Sequence, residues 1–348
     1  MHTRRVITVA GCHAEGEVGD VITGGVLPPA GATMFERMRT MEREHDNIRK
    51  LLICEPRGSV ARHVNLLTPP IRPDCDAGLI IMEPTEYPPM SGSNAMCAAT
   101  VLLELGLVPM REPETLLHLD TPAGRVAVRA VCHDGHVRSV ELTNVPSFVF
   151  HLDHRLEVAG EKPMTVDVAY GGMIYASADA AALGFSIKPD EARDLAALGE
   201  KIRRAAREQI ACVHPGNPGI AGVSIVQFAM PFEGVGKVTR NTCIVAPGRS
   251  DRSPTGTGTS ARMAILHARG QMRIGDSMTH ASIIGSEFHG RIIAAASVGG
   301  TPAIIPAISG RAWLTGMHQY FVDPTDPFPQ GYIVSDTWGV GGGTGQDG

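Results

Sequence analysis

Two stretches of this chain repeat each other. Ser91-Gly-Ser-Asn-Ala-Met-Cys-Ala-Ala-Thr-Val-Leu-Leu-Glu-Leu-Gly106 and Thr255-Gly-Thr-Gly-Thr-Ser-Ala-Arg-Met-Ala-Ile-Leu-His-Ala-Arg-Gly270 open alike, on a hydroxyl residue, a glycine (Gly92, Gly256) and a second hydroxyl residue (Ser93, Thr257). Both carry leucine at the twelfth place (Leu102, Leu266) and glycine at the sixteenth. They begin 164 residues apart in a chain of 348. A motif that recurs at about half the chain length implies two copies of one domain type. Ala95 to Leu105 is apolar apart from Thr100 and Glu104, which predicts a helix buried on most sides, capped by a hydroxyl residue and stopped by Gly106.

Two such helix starts suggest a chemistry. A helix N-terminus presents unpaired N–H groups and a partial positive charge, and glycine beside it lets a ligand approach the backbone. Such a site takes an anion, a carboxylate included. Two of them facing one carboxylate would set a hydroxyl side chain on each side of the neighbouring carbon. One group could then remove the α-proton, and the other deliver a proton to the opposite face or assist a leaving group. N–H groups aimed at the carboxylate would hold the enolate-like charge. The scheme calls for neither metal nor organic cofactor. The competing reading is that Ser91 and Thr255 are plain N-caps.

The rest of the chain excludes several classes. Net charge is −5, aromatic residues make up 5%, and the densest basic stretch (Lys201, Arg203, Arg204, Arg207) has helical spacing with Glu200 and Glu208 beside it. That is a solvated helix face rather than a nucleic-acid surface. Seven cysteines stand widely apart with no CxxC pair, which fits reduced thiols in a cytoplasm rather than a disulfide framework or a zinc site. No apolar run approaches membrane-spanning length, and the start, Met1-His-Thr-Arg-Arg-Val6, fails as a signal peptide once Glu15 and Glu17 arrive. His13, Glu15 and Glu17 would share a face on a continuous strand, but Gly16 and Gly19 argue for a turn there and against a metal set.

Patterning predicts strands at Val6–Ala10, Leu51–Cys54, Gly78–Met82, Leu116–Leu119, Arg125–Val131, Val137–Leu142, Gly222–Phe228 and Asn241–Val245, and a glycine-broken strand over 165–175. It predicts an amphipathic helix over 34–50 and a polar one over 189–211. The glycine-rich tail from Gly341 reads as disordered.

At the repeated segments the sequence resembles the proline racemase superfamily. Asp251-Arg-Ser-Pro-Thr-Gly-Thr-Gly-Thr259 is similar to that family's second catalytic motif, with threonine where cysteine is usual. Met90-Ser-Gly-Ser-Asn94 is similar to its first, usually Met-Cys-Gly-His. Family-like pieces also occur at His13 to Glu17, Glu55-Pro-Arg-Gly58, Asn144-Val-Pro-Ser-Phe148 and Val168-Ala-Tyr-Gly-Gly172.

The resemblance implies an α/β fold like diaminopimelate epimerase: two pseudo-symmetric domains, each a curved sheet around a central helix, with the active site in the cleft between them. The borders drawn from sequence are 1–160, with a tail of about 325–348 returning to it, and 161–324. The resemblance further implies a cofactor-free, metal-free, cytoplasmic enzyme, often a homodimer, acting on a small proline-type amino acid. Ser91 and Thr255 become the acid/base positions. Gly92, Ser93, Gly256 and Thr257 bind the substrate carboxylate, and Asp251 holds the ring nitrogen as ammonium.

Within this family, racemases and most hydroxyproline epimerases pair two cysteines, some epimerases use serine first and cysteine second, and trans-3-hydroxy-L-proline dehydratases use cysteine first and threonine second. Thr255 is a poor reprotonating acid. It argues for the dehydratase branch, in which one α-proton and the neighbouring hydroxyl leave as water. The alternatives are a hydroxyproline 2-epimerase or proline racemase, and a silent binder of proline-like ligands. Cys97, inside the apolar helix, is the place for a displaced thiol; a buried structural cysteine is the simpler reading.

Overall fold

The computed structural model describes residues 6–338; the glycine-rich tail from Gly341 and the first five residues lie outside them. The chain folds into two compact units, one holding residues up to Val140 and from Arg311 onward, the other Glu141–Gly310.

The first unit contains β1 (Val6–Ala14), β2 (Glu17–Gly24), α1 (Met34–Glu44), α2 (Asp46–Ile53), β3 (Arg62–Thr68), β4 (Ala77–Met82), α3 (Gly92–Glu104), β5 (Glu114–Thr121), β6 (Gly124–His133) and most of β7 (His136–Thr143). The second contains β8 (Ser147–Leu156), β9 (Met164–Tyr170), β10 (Ile174–Asp179), α4 (Ala192–Gln209), β11 (Ile225–Ala229), β12 (Val238–Val245), β13 (Arg249–Ser250), α5 (Gly256–Ala268), β14 (Ser277–Ala281), β15 (Glu287–Val298) and β16 (Thr301–Gly310). The chain then returns to the first unit with β17 (Ala312–Phe321) and a short α6 (Ser335–Trp338).

Strand pairing carries the repeat into three dimensions. In the first unit, β17, β1 and β2 run antiparallel, β2 and β3 parallel, β3 and β4 antiparallel, β4 and β5 parallel, β5 and β6 antiparallel. In the second, β8, β9 and β10 run antiparallel, β10 and β11 parallel, β11 and β12 antiparallel, β12 and β14 parallel, β14 and β15 antiparallel. The two orders are the same. In the second unit β15 pairs with β16, and β16 returns to β8 through Ala303↔Phe148, closing the ring.

A curved sheet wraps one helix in each unit. α3 packs against β1, β2, β3, β4, β6 and β17, and α5 against β8, β9, β10, β15 and β16. Gly92 to Leu103 is entirely buried, as the apolar sequence predicts. A curved sheet needs its concave side filled, and a helix apolar all round fills it.

Three expectations change. The helix predicted over 34–50 breaks at His45, and α2 continues through Leu51–Ile53, which patterning assigned to a strand. A short apolar run cannot distinguish a strand from a buried helical turn. Here Asp46 decides it, pairing from the first turn with Arg49 at 2.6 Å while Leu51, Leu52 and Ile53 face the core. The units divide at Val140/Glu141 and Gly310/Arg311, earlier than the borders drawn at 160 and about 325. The reason is β8, which pairs with β9 and packs on α5, so it belongs to the second unit. Finally, the long strands β15 to β17 were not foreseen.

Candidate active site

Ser91 and Thr255 stand at the N-caps of α3 and α5, but neither side chain makes a capping hydrogen bond. Among the described residues, no acceptor takes the N–H groups of Gly92, Ser93 and Asn94, or of Gly256, Thr257 and Gly258. Both helix starts therefore keep open donors and the positive end of the dipole, the equipment of a carboxylate site. The structure gathers the sequence-predicted residues into two groups, one per unit.

In the first group the Ser91 hydroxyl accepts a hydrogen bond from Asn94 Nδ2 at 2.9 Å and lies 3.5 Å from Ser93 Oγ. Asn94 is fully buried. Its carbonyl oxygen accepts from Asn65 Nδ2 at 2.8 Å, and Asn65 Nδ2 also donates to the Asp20 carbonyl at 3.2 Å. Beyond Asn94 lies His63 on β3, with its Nδ1 3.2 Å from Asn94 Nδ2. The buried carboxylates of Glu17 and Glu83 approach the same imidazole at 3.5 and 3.7 Å. A hydrogen-bond donor on a serine oxygen favours its ionised form, as does the helix terminus. This is the help that an ordinary serine lacks.

The second group centres on Asp251, which is buried. One carboxylate oxygen accepts the Ser253 N–H at 2.8 Å, and the other accepts the Thr255 hydroxyl at 2.7 Å. Thr255 N–H donates to Ser253 Oγ at 3.1 Å. These bonds hold Thr255 at φ 61, a region a β-branched residue avoids at a cost of about 1–3 kcal/mol. The strain turns the hydroxyl away from its helix and onto Asp251. Thr257 bonds through its hydroxyl to Tyr175 at 2.6 Å. Beneath the helix start lie neutral groups. A side chain at Gly258 would crowd them, since a Cβ there would sit 3.0 Å from Cys243 Sγ and 3.1 Å from Gln227 Nε2. Burial pushes the Cys243 thiol well above its usual range, so it is no reactive thiolate.

Cys97 is likewise fully buried, and burial followed by Cys12 raises its pKa strongly; its environment is that of an inert core thiol. His13, Glu15 and Glu17 are parted by the turn at Glu15-Gly16. His13 stacks on Trp313, Glu15 accepts the Arg311 N–H, and Glu17 lies inside near His63. No group of metal-ligating side chains occurs among the described residues, and no helix there is long and apolar enough to cross a membrane. Sequence reading missed Asn65, Asn94, His63, Glu17, Glu83 and Tyr175 as neighbours of the site. Asn94 lies within the motif itself. The others come from distant strands, and no spacing signals them.

Comparison with known proteins places the chain in a family. The family model described as proline racemase matches residues 9–333. A hydroxyproline epimerase from Agrobacterium vitis, solved with bound trans-4-hydroxy-L-proline, is 40% identical, with a TM-score of 0.93 over 97% of this chain and 98% of that one. A probable proline racemase from Agrobacterium radiobacter K84, solved with bound carbonate, is 41% identical, with a TM-score of 0.92 over 96% and 98%. A predicted epimerase from Pseudomonas aeruginosa shares the fold at 14% identity, with a TM-score of 0.54 over 91% and 99%. The chain is a member of the proline racemase family.

Proposed function

We propose that this protein is a cofactor-independent enzyme that removes the α-proton of a proline-type amino acid, and that its net reaction is dehydration of trans-3-hydroxy-L-proline to a pyrroline-2-carboxylate. The observation that carries the reading is the Thr255–Asp251 hydrogen bond. A threonine hydroxyl that gave its proton to a carbanion would become an alkoxide beside a buried carboxylate, and two such like charges repel. Thr255 is therefore a poor acid for a second face, and epimerisation needs an acid on each face.

Elimination from the 3-hydroxy compound does not. In trans-3-hydroxy-L-proline the α-hydrogen and the 3-hydroxyl lie on the same face of the ring. Ser91, ionised, takes the α-proton. The electron pair left on Cα forms the ring double bond as the C3–O bond breaks, and the departing hydroxide takes the proton back from Ser91 as water. Ser91 is left as it began, and the enamine product isomerises to the imine. The open N–H groups of Gly92, Ser93, Gly256 and Thr257 serve the substrate carboxylate and the enolate-like charge. Asp251 pairs with the ring ammonium.

A second reading has its own support. The Agrobacterium vitis relative is a hydroxyproline epimerase, so 2-epimerisation of trans-4-hydroxy-L-proline is the competing activity. Assay of the purified protein with each amino acid separates them. Formation of a pyrroline from the 3-hydroxy compound, with the 4-hydroxy compound's configuration left unchanged, is the expected result; inversion of the 4-hydroxy compound at a comparable rate sinks the dehydratase reading.

A further inference from the structure

Four fixed hydrogen-bonding groups lie in line behind Ser91, and their polarity can be read from one end. The Asp20 carbonyl can only accept, so the Asn65 group facing it is its NH2. The same NH2 also faces Asn94, so the Asn94 atom that receives it is the carbonyl oxygen. The Asn94 NH2 then points the other way, with one hydrogen for Ser91 Oγ at 2.9 Å and one for His63 Nδ1 at 3.2 Å. Against that NH2, His63 Nδ1 is assigned as the acceptor, the Glu83 carboxylate standing farther off, 3.7 Å from the same nitrogen. That assignment puts the ring proton on Nε2, which faces Glu17 Oε1 at 3.5 Å.

We propose that His63, through Asn94, is the positioning residue that holds Ser91 Oγ as a hydrogen-bond acceptor and so makes a serine usable as a base; the proposal rests on the reading of Ser91 given above. With Nδ1 accepting, both hydrogens of the Asn94 amide are anchored, and the one on Ser91 cannot turn away. The line is buried: Asn94 is fully enclosed, and His63, Glu17 and Glu83 are nearly so. Hydrogen bonds in such surroundings are strong when satisfied and costly when broken. Gly19 leaves the room for it, since a Cβ there would stand 2.8 Å from Asn94 Oδ1. The residue that the 164-residue offset of the repeat sets against His63 is Gln227 on β11, whose amide turns to Asn241 rather than to the helix-start hydroxyl. The device belongs to Ser91 and is absent behind Thr255.

The test is a double-mutant cycle on dehydration of trans-3-hydroxy-L-proline, using His63→Leu in the Ser91 protein and in Ser91→Cys. A thiol ionises near pH 8.5 unaided and does not need the line. The proposal expects His63→Leu to lower kcat about 30-fold or more in the serine enzyme, the size of a lost buried hydrogen bond to a charged group, with KM within about twofold. In Ser91→Cys the loss should shrink to less than about threefold. His63→Asn, which puts a carbonyl oxygen where Nδ1 was, should recover much of the serine enzyme's kcat. An equal loss in both backgrounds, or a change in KM alone, makes His63 a mere packing residue and overturns the proposal. So does unchanged kcat in His63→Leu while Ser91→Ala is dead. Full turnover by Ser91→Ala defeats the functional reading itself. If His63→Leu does not fold, ¹⁵N-histidine NMR of the unaltered protein decides: a neutral Nε2–H ring at His63 is expected, and an Nδ1–H tautomer or an imidazolium overturns the proposal.

Discussion

The two units place the same helix on the same strand order, yet they furnish the two helix starts differently. Behind α3 the strands supply Asn65 and His63, which meet Asn94 and through it a serine that accepts a hydrogen bond, while Glu17 and, just past β4, Glu83 approach the His63 imidazole. Behind α5 they supply Gln227, Asn241 and Cys243, all neutral, and the charge comes from Asp251 in the loop before the helix, where it accepts a hydrogen bond from the hydroxyl of a strained threonine. The buried histidines show the same division. His63 lies among carboxylates. His280 meets Thr259 at 2.9 Å, and burial together with Arg262 lowers its pKa to about 3. The two copies of the fold thus share open N–H groups at the helix start and differ in the hydroxyls: Ser91 accepts a hydrogen bond from Asn94, whereas Thr255 donates one to Asp251.

That contrast breaks first at Ser91. Replacing it with alanine removes the proton acceptor, and dehydration should fall by roughly 10²–10⁴-fold, the usual contribution of a positioned acid/base group; a tenfold loss or less in steady-state turnover would mean that another group takes the proton. Asp251→Asn comes next. It removes the charge that accepts the Thr255 hydroxyl and that the proposal assigns to the ring ammonium, so kcat/KM should fall about 10–100-fold, in line with a lost hydrogen bond to a charged group, and most of the change should appear in KM.

Thr255→Cys sharpens the comparison rather than breaking it. A thiol is a competent acid, so this variant should acquire exchange and inversion at Cα of trans-4-hydroxy-L-proline that the parent lacks, while dehydration changes little. Polarimetry or chiral chromatography reads the outcome. If the parent already inverts the substrate as fast as the variant, the two hydroxyls are not functionally separate.

The smallest effect concerns stability. His280 is held neutral with a folded-state pKa of about 3 against an ordinary 6.5. Its unfolded form binds the proton first, so its contribution is complete above about pH 6.5 and is lost as pH falls toward 3. His280→Asn should flatten the fall of Tm between pH 6.5 and 4; a parallel pair of curves would show that His280 takes no part in acid unfolding.

Much of this was legible in the residues. The matched segments at 91–106 and 255–270 pointed to two copies of one domain, and their apolar runs gave the two enclosed helices, because a helix with no polar face has no place at a surface. Ser91, Gly92, Ser93, Asp251, Thr255, Gly256 and Thr257 could be named because the motifs hold them within a few positions of one another. What stands behind Ser91 could not. His63 and Asn65 lie on a strand about thirty residues upstream of Asn94, and Glu17 comes from a strand farther off still. Only the parallel pairing of β2 and β3 beneath α3 brings them together, and neither periodicity nor spacing encodes that. The strain at Thr255 was equally hidden: a threonine before Gly-Thr-Gly reads as an ordinary cap until its dihedral angle is seen. Leu51–Ile53 misled because three apolar residues look alike in a strand and in a buried helical turn.

The central claim is that the chemistry is one-sided, with Ser91 moving the proton and Thr255 not. Proton NMR in D₂O with trans-3-hydroxy-L-proline, trans-4-hydroxy-L-proline and L-proline tests it most directly. The account predicts loss of water from the 3-hydroxy compound, abolished in Ser91→Ala, and no product of inverted configuration from the other two. Deuterium entering Cα of trans-4-hydroxy-L-proline or L-proline with inversion, at a rate matching or exceeding dehydration, would contradict it.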